Sequence, residues 1–369
     1  MLSTGVEPAE VDAARRSSYN REMTWPAADL DVIHDPGPAG AFERAAGVLD
    51  RARDPIELGA GHEIRLGTAS WTDATMVAPG VFYPTGADSA EERLQYYASQ
   101  FPLVEVDATY YALPSARTAE LWRERTPPDF TFDIKAHALM TGQPTETKRL
   151  PKDIRLALPP ELADKPRLYD RDLPGELRDE IWRLFREGIE PLRAAGQLGS
   201  ILLQYPRWFF PSSENRAAIL EARERLGGLA SAVEFRHGSW FNEKNIERTQ
   251  RFLTDNAIPL VVIDGPQGFK SSVPPIVAAT SPDLAIVRFH GRRTATWEAK
   301  NLETVERFRW LYDRSELAEW VPRIRDLANQ VRETHVLMNN CYANYGSTNA
   351  RELAALLLDL GDATAADAG

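Results

Sequence analysis

Short apolar runs recur along the middle of the chain, at residues 64–70, 103–107, 130–136, 200–204, 232–236, 259–264, 284–290 and 334–339. Each is rich in β-branched or aromatic residues and bounded by Gly, Pro or polar positions, the signature of a short strand. Helical periodicity fills most gaps, over residues 89–100, 115–125, 176–195, 213–226, 243–256 and 349–360, with one or two helices within 302–331. Ser89 followed by Glu92 has the form of a capping box. Eight strands alternating with helices predict an α/β fold, a single (β/α)8 TIM-type barrel; a doubly wound open sheet would use the same alternation.

Two links depart from that rhythm. Residues 140–177 form a Pro-rich insertion after the third strand, longer than an ordinary connection. Residues 265–283 carry Pro266, Pro274, Pro275 and Pro282 and leave little room for a sixth helix. The expected organisation is an N-terminal extension over 1–62, the barrel over 63–360 and an acidic, frayed tail over 361–369. The extension is expected to be partly ordered, with a helix within 39–52 and a brief strand at 30–33.

Composition narrows the class. Of 369 residues, 43% are hydrophobic and 26% charged, which excludes wholesale disorder. A net charge of −11 argues against extended duplex nucleic acid or anionic lipid as a partner, so an anionic ligand needs a local basic pocket. The one cysteine, Cys341, has no partner for an internal disulfide and is read as a buried small side chain. No apolar run reaches membrane-spanning length, and the first residues lack an apolar signal core. The expectation is a soluble cytoplasmic protein; the oligomeric state stays open.

The candidate chemistry sits at strand ends. Side chains two apart on a strand share a face. Glu105, Asp107 and Thr109 share parity at the second strand, Asp133, Lys135 and His137 at the third, Glu234 and Arg236 at the fifth, Arg288 and His290 at the seventh. Asp264 ends the sixth strand, and Asn339 and Asn340 the eighth. Charges near one end of strand after strand match a barrel mouth, because a charge inside an apolar strand needs a partner or a wet cavity. The competing readings are strand termini that merely reach water, or a structural ion-pair network in which Lys135 pairs with Glu105.

The candidate catalytic groups are Glu105, Lys135, His137, Glu234, Asp264 and His290. Glu105 and Glu234 could form the carboxylate pair of a glycosidase, but a basic neighbour for each opposes a proton-donor role. Lys135 beside His137 offers a cation and a proton carrier. For ligand binding the candidates are Arg236, Arg288, Arg292, Asn339 and Asn340, with Thr109 and the aromatic rings of Trp71, Tyr110 and Trp240. The arginines suit bidentate capture of phosphate or carboxylate, helped by Lys135 and Arg293. A metal could draw on His137, His290, Asp264, Glu105 and Glu234, but Lys135, Arg236 and Arg288 would repel it, so no metal is assigned and the cofactor is unknown.

Several ordered motifs carry a resemblance: Gly67-Thr-Ala-Ser-Trp71, Phe82-Tyr-Pro84, Val104-Glu-Val-Asp-Ala-Thr-Tyr-Tyr111, Phe132-Asp-Ile-Lys-Ala-His137, Glu234-Phe-Arg-His-Gly-Ser-Trp240, Val287-Arg-Phe-His-Gly-Arg292 and Met338-Asn-Asn340. Across about residues 64–357 the chain resembles the YecE-like family of uncharacterised proteins, the domain of unknown function seventy-two. The resemblance implies a TIM-type barrel and leaves the activity open. One departure lies after Lys135: members often carry a Thr-His pair where this chain reads Met140-Thr-Gly-Gln-Pro144. The functional expectation is an enzyme acting on an anionic ligand (phosphorylated, carboxylated or nucleotide-like) by acid–base or hydrolytic chemistry. The alternatives are a non-catalytic barrel that binds such a ligand or a nucleic-acid end, and a metal-dependent hydrolase or isomerase.

Overall fold

The computed structural model describes residues 35–299, 302 and 304–366. A short hairpin, β1 (Ile56–Leu58) and β2 (His62–Thr68), opens the sheet. It continues with β3 (Leu103–Val106) and β4 (Thr131–Lys135), and after the insertion with β7 (Leu198–Gln204) and β8 (Ser231–Glu234). β9 (Val261–Asp264), β10 (Leu284–Phe289) and β11 (Glu333–Met338) complete it. Eight parallel strands run in the order β8-β7-β4-β3-β2-β11-β10-β9. The two ends meet at a single bridge between Val233 and Leu260, where the Val233 N–H donates to the Pro259 carbonyl at 2.9 Å. An open sheet would leave those edges apart, so the architecture is a (β/α)8 barrel.

All eight expected strands are present. β1 was not expected, because Ile56-Glu-Leu58 is too short to show alternation. It exists because the turn at Gly59–Gly61, with Ala60 at φ 66, folds it back on β2. Among its described residues, the region 302–331 holds three short helices, Thr304–Arg307, Arg314–Ala318 and Val321–Ala328, rather than one or two. No helix lies between β9 and β10, as the prolines imply. In the flank a helix forms at Gly37–Ala45, within the barrel's reach, whereas the strand expected at 30–33 lies outside the described residues. The last helix, Tyr345–Ala366, begins earlier than expected and continues into the stretch read as a frayed tail.

The insertion holds a two-stranded piece, β5 (Thr145–Glu146) with β6 (Arg167–Leu168), and two short helices, Lys152–Leu156 and Pro160–Ala163. Its leucines, Leu150, Leu158, Leu162 and Leu168 among them, form a separate apolar cluster with Ile181 of the helix Gly175–Ala194. Gln143 fastens it to the barrel end, accepting from the Tyr110 hydroxyl (2.9 Å) and donating to the Gln204 carbonyl (2.9 Å).

The layering of the barrel positions the site. One face of each strand, with Val104, Ile134, Leu203, Val262, Val287 and Val336, packs under the helices. The opposite face contributes a smaller interior cluster of Leu103, Leu202, Ala232, Val261, Ile286 and Leu337. Two residues further along the same strands, the same face carries Glu105, Gln204, Glu234, Arg288 and Asn339. An apolar plug thus floors the polar layer.

Candidate functional site

Arg288 stands at the centre of that layer, fully buried, between two carboxylates that are also fully buried. Its guanidinium donates to Glu105 Oε1 at 2.5 Å and, from the other nitrogen, to Glu234 Oε2. Glu234 Oε1 also accepts from Gln204 Nε2 (2.7 Å) and Arg236 (3.0 Å), with His290 Nε2 at 3.3 Å. Burial opposes its ionisation, but Arg288, His290 and Arg236 outweigh that and hold the Glu234 carboxyl well below its ordinary range. Asn339 Nδ2 lies 2.7 Å from His290 Nδ1. His290 Nε2 faces both Glu234 Oε1 and the Arg236 guanidinium at 3.3 Å. Burial lowers its pKa to about 4, so His290 is neutral at physiological pH.

Nearer the opening, Lys135 Nζ lies 2.8 Å from Asp107 Oδ1. The expected pair of Lys135 with Glu105 is therefore corrected: Asp107, at the rim, lies closer to the flexible ammonium. Burial pushes Glu105 up to about 8, with Asp107 and Glu234 adding to the effect and Arg288 and Lys135 opposing it. Burial opposes ionisation of Asp107 too, but Lys135, Arg288 and a hydrogen bond with Glu105 bring its carboxyl below the usual range. Of the two carboxyls, Glu105 holds its proton the more tightly. Lys135, Asp107, Arg236 and Gln204 are partly exposed, whereas Glu105, Glu234, Arg288 and His290 are closed off beneath them.

Other expected site residues lie elsewhere. Asp264 is buried on the outer face of β9: it accepts from Arg292 (2.8 Å), the Tyr312 hydroxyl (2.6 Å) and the Trp320 indole (2.7 Å). Val261 belongs to the interior cluster, so alternation turns Val262 and Asp264 outward. Asp264 with Arg292 is thus a joint between strand and helices, and Arg293 pairs with Glu306. Trp71 packs edge-on against Trp122, and Trp240 stacks on Phe235 while donating to the Phe209 carbonyl. Thr109 donates to the Lys135 carbonyl (2.6 Å), and Asn340 to the Trp310 carbonyl (2.8 Å). These side chains are engaged in ring packing and in hydrogen bonds to loop and strand carbonyls. His137 is fully buried, accepts weakly from the Leu139 N–H, and is pushed down to about 4 by burial. Tyr110 does reach the mouth, its ring 5.1 Å from Lys135 Nζ.

Four participants had no weight in the sequence reading. Gln204 follows Leu202 at the interior parity and could have been found that way. Arg207, Trp297 and Arg307 come from loops or short helices, where no periodicity announces them. Among the described residues, no group of three or more His, Cys, Asp or Glu side chains is arranged to hold a metal ion.

The family described as "Protein of unknown function DUF72" matches residues 65–367. The chain belongs to that family. A relative, UPF0759 protein YunF of Bacillus subtilis, is 30% identical over 298 residues, covering 80% of this chain and 94% of that one. A solved DUF72 structure from Thermotoga maritima has a TM-score of 0.62 at 30% identity, covering 80% of this chain and 99% of the other. One from Enterococcus faecalis has a TM-score of 0.64 at 26% identity, covering 80% and 95%. The DUF72 match begins after the flank, and no helix among the described residues is long and apolar enough to cross a membrane.

Proposed function

We propose that this DUF72 barrel is an acid–base enzyme for a small anionic ligand, with its active site at the mouth above Glu105, Glu234 and Arg288. The observation that carries the reading is the Lys135–Asp107 pair, 2.8 Å apart and partly exposed at the mouth, above a buried Glu105 whose proton affinity burial raises. An ionised carboxylate held beside a fixed cation can accept a proton while the cation balances the charge left on the substrate. In this reading Asp107 accepts a proton from the substrate, and Lys135 stabilises the negative charge that develops. Glu105, which the mouth does not expose, is a positioning residue that sets the proton affinity of Asp107. Glu234 and the neutral His290 fix Arg236 and Arg288 in place and take no proton. The cations Arg288, Arg236 and Lys135 outnumber the ionised Glu234 and Asp107, which favours an anion over a metal ion. The lone Cys341 supports a reducing, cytoplasmic setting.

The reading is tested by incubating the full chain in D2O with a panel of phosphorylated and carboxylated metabolites and following deuterium uptake by NMR. Uptake into at least one compound is expected, lost in Asp107→Asn and Lys135→Met but kept in Arg193→Met, a surface change. No uptake into any compound, or uptake indifferent to Asp107 and Lys135, overturns it.

A further inference from the structure

Beside Glu234 and His290 lies a cluster of positive charge of which the reading above uses only Arg236. Three arginines from separate parts of the chain gather around one indole. The Arg236 guanidinium lies 5.0 Å from the centre of the Trp297 ring, and that of Arg207 lies 5.7 Å from it. Arg207 donates to the Trp297 carbonyl (3.0 Å), and Arg307 donates to the same carbonyl (2.5 Å) and to that of Ala299 (2.9 Å). These backbone contacts hold the guanidiniums in position without neutralising them. Among the described residues, Arg207 and Arg307 make no ion pair with a carboxylate. Glu298 is near Arg207, but it is exposed and accepts from the Ser271 hydroxyl.

Two further observations point to a missing acceptor. Trp297 is buried, yet its indole N–H has no hydrogen-bond partner among the described residues. Burial and mutual repulsion also lower the proton affinity of Arg207 and Arg307, with Arg236 contributing to both. Holding like charges together, even when they are only partly withdrawn from water, is unfavourable unless a counter-charge joins them. Trp297 meanwhile reaches Gly265 at the end of β9 and lies beside His290 of the mouth.

We propose that Arg207, Arg236 and Arg307, with the Trp297 indole, cradle the phosphoryl group of a phosphate monoester whose remainder extends toward Lys135 and Asp107. This rests on the acid–base reading of the same mouth and names its substrate class. A carboxylate is satisfied by one forked guanidinium; three guanidiniums approaching from different elements match a dianion with three terminal oxygens. The three guanidiniums and the unpartnered indole N–H are donors, and the carbonyls of Trp297 and Ala299 are already engaged by Arg207 and Arg307, which favours an anionic ligand.

The test is calorimetry on the full chain with inorganic phosphate, methyl phosphate and acetate as probes, at fixed ionic strength. Both phosphates are expected to bind, and acetate at least about tenfold more weakly. Arg207→Met and Arg307→Met should each weaken phosphate binding about tenfold or more, the scale for a charge-assisted hydrogen bond. Arg193→Met should leave it unchanged, and far-ultraviolet dichroism confirms that each variant is folded. Absence of phosphate binding, or binding that survives the combined Arg207→Met and Arg307→Met change, overturns the cradle. The two readings fail separately. Phosphate binding sensitive to these arginines, without deuterium uptake by any ester, leaves the cradle and removes the acid–base role. Uptake only into compounds lacking a phosphoryl group, with phosphate binding indifferent to the arginines, does the reverse.

Discussion

Arg288 and Glu105 make opposite kinds of contribution although they touch. Arg288 is charged and neutralises Glu234, so Arg288→Met strands an ionised carboxylate out of water. Removing one member of such a buried pair destabilises by about 3–5 kcal/mol, and urea unfolding at pH 7 should show a loss on that scale. Burial raises Glu105 to about 8, so it is expected to keep its proton in the folded protein at pH 7. In the unfolded chain the same carboxyl ionises near its ordinary value of about 4.3, so between those values folding must take up a proton and stability falls as pH rises. Glu105→Gln removes that penalty. The variant should be at least as stable as the parent at pH 7, with no comparable gain at pH 4. A loss above about 2 kcal/mol at pH 7 would show that Glu105 is ionised in the folded protein.

His335 adds a second pH dependence, in a deeper layer. It is buried, with Asp133 2.9 Å from Nδ1 and Glu333 3.4 Å from Nε2. Burial favours the neutral ring, but the two carboxylates outweigh it and raise the pKa to about 9. A histidine raised above its unfolded value of about 6.5 contributes stability that is complete below that value and is lost as pH climbs through the folded pKa. Urea midpoints should therefore fall between about pH 6.5 and 9, and His335→Gln should flatten that slope. A parent curve that is flat across this window would rule out a charged His335.

At the scale of elements, close packing decides against local propensity. Gly188 lies inside the helix Gly175–Ala194, where alanine would ordinarily be favoured by about 1 kcal/mol. A Cβ at that position would stand 2.2 Å from the Pro114 carbonyl oxygen, so the backbone itself is in the way. Gly188→Ala is expected to lower the melting temperature, because overpacking against backbone costs about 1–3 kcal/mol and outweighs the helical gain. A rise in melting temperature would mean that the helix shifts freely. The strands illustrate how much was legible at this scale. Their apolar runs fall where pairing later occurs, since a buried parallel strand must be apolar wherever it packs. β1 escaped notice because three residues are too few for a period, and it depends on the turn before β2.

Across the whole molecule, the described part of the flank acts as a strap on the last helix. Ala41 and Ala45 are buried, Arg44 pairs with Glu352 at 2.7 Å, and Asp35 pairs with Arg309 at 2.5 Å. Thr348 and Asn344 donate to the carbonyls of Ala41 and Pro38. Deleting residues 1–46 should lower the melting temperature by several degrees, at roughly 2–4 °C per kcal/mol for a chain of this order of size. An unchanged melting temperature would show that these contacts add nothing to the barrel. The sequence offered only a weak helix here, because the partner surface lies some three hundred residues away.

Alternation of apolar and polar residues determined the eight strands, and charges at shared parity marked the end of the barrel that holds the polar layer. That much is local: one strand's sequence shows which residues share a face and where burial stops. It does not show which face turns inward when both are apolar. In β9, Val262 and Ile263 are equally hydrophobic, and only closure against β8 and β10 turned Asp264 out toward Arg292, Tyr312 and Trp320. The partnerships were likewise beyond reach. Arg288 meets Glu105 and Glu234 because barrel curvature brings distant strands face to face, and Lys135 meets Asp107 because a flexible ammonium takes the nearer rim carboxylate. The cluster of Arg207, Arg236 and Arg307 at Trp297 draws on loops with no repeating pattern, so only the folded arrangement brings those charges together.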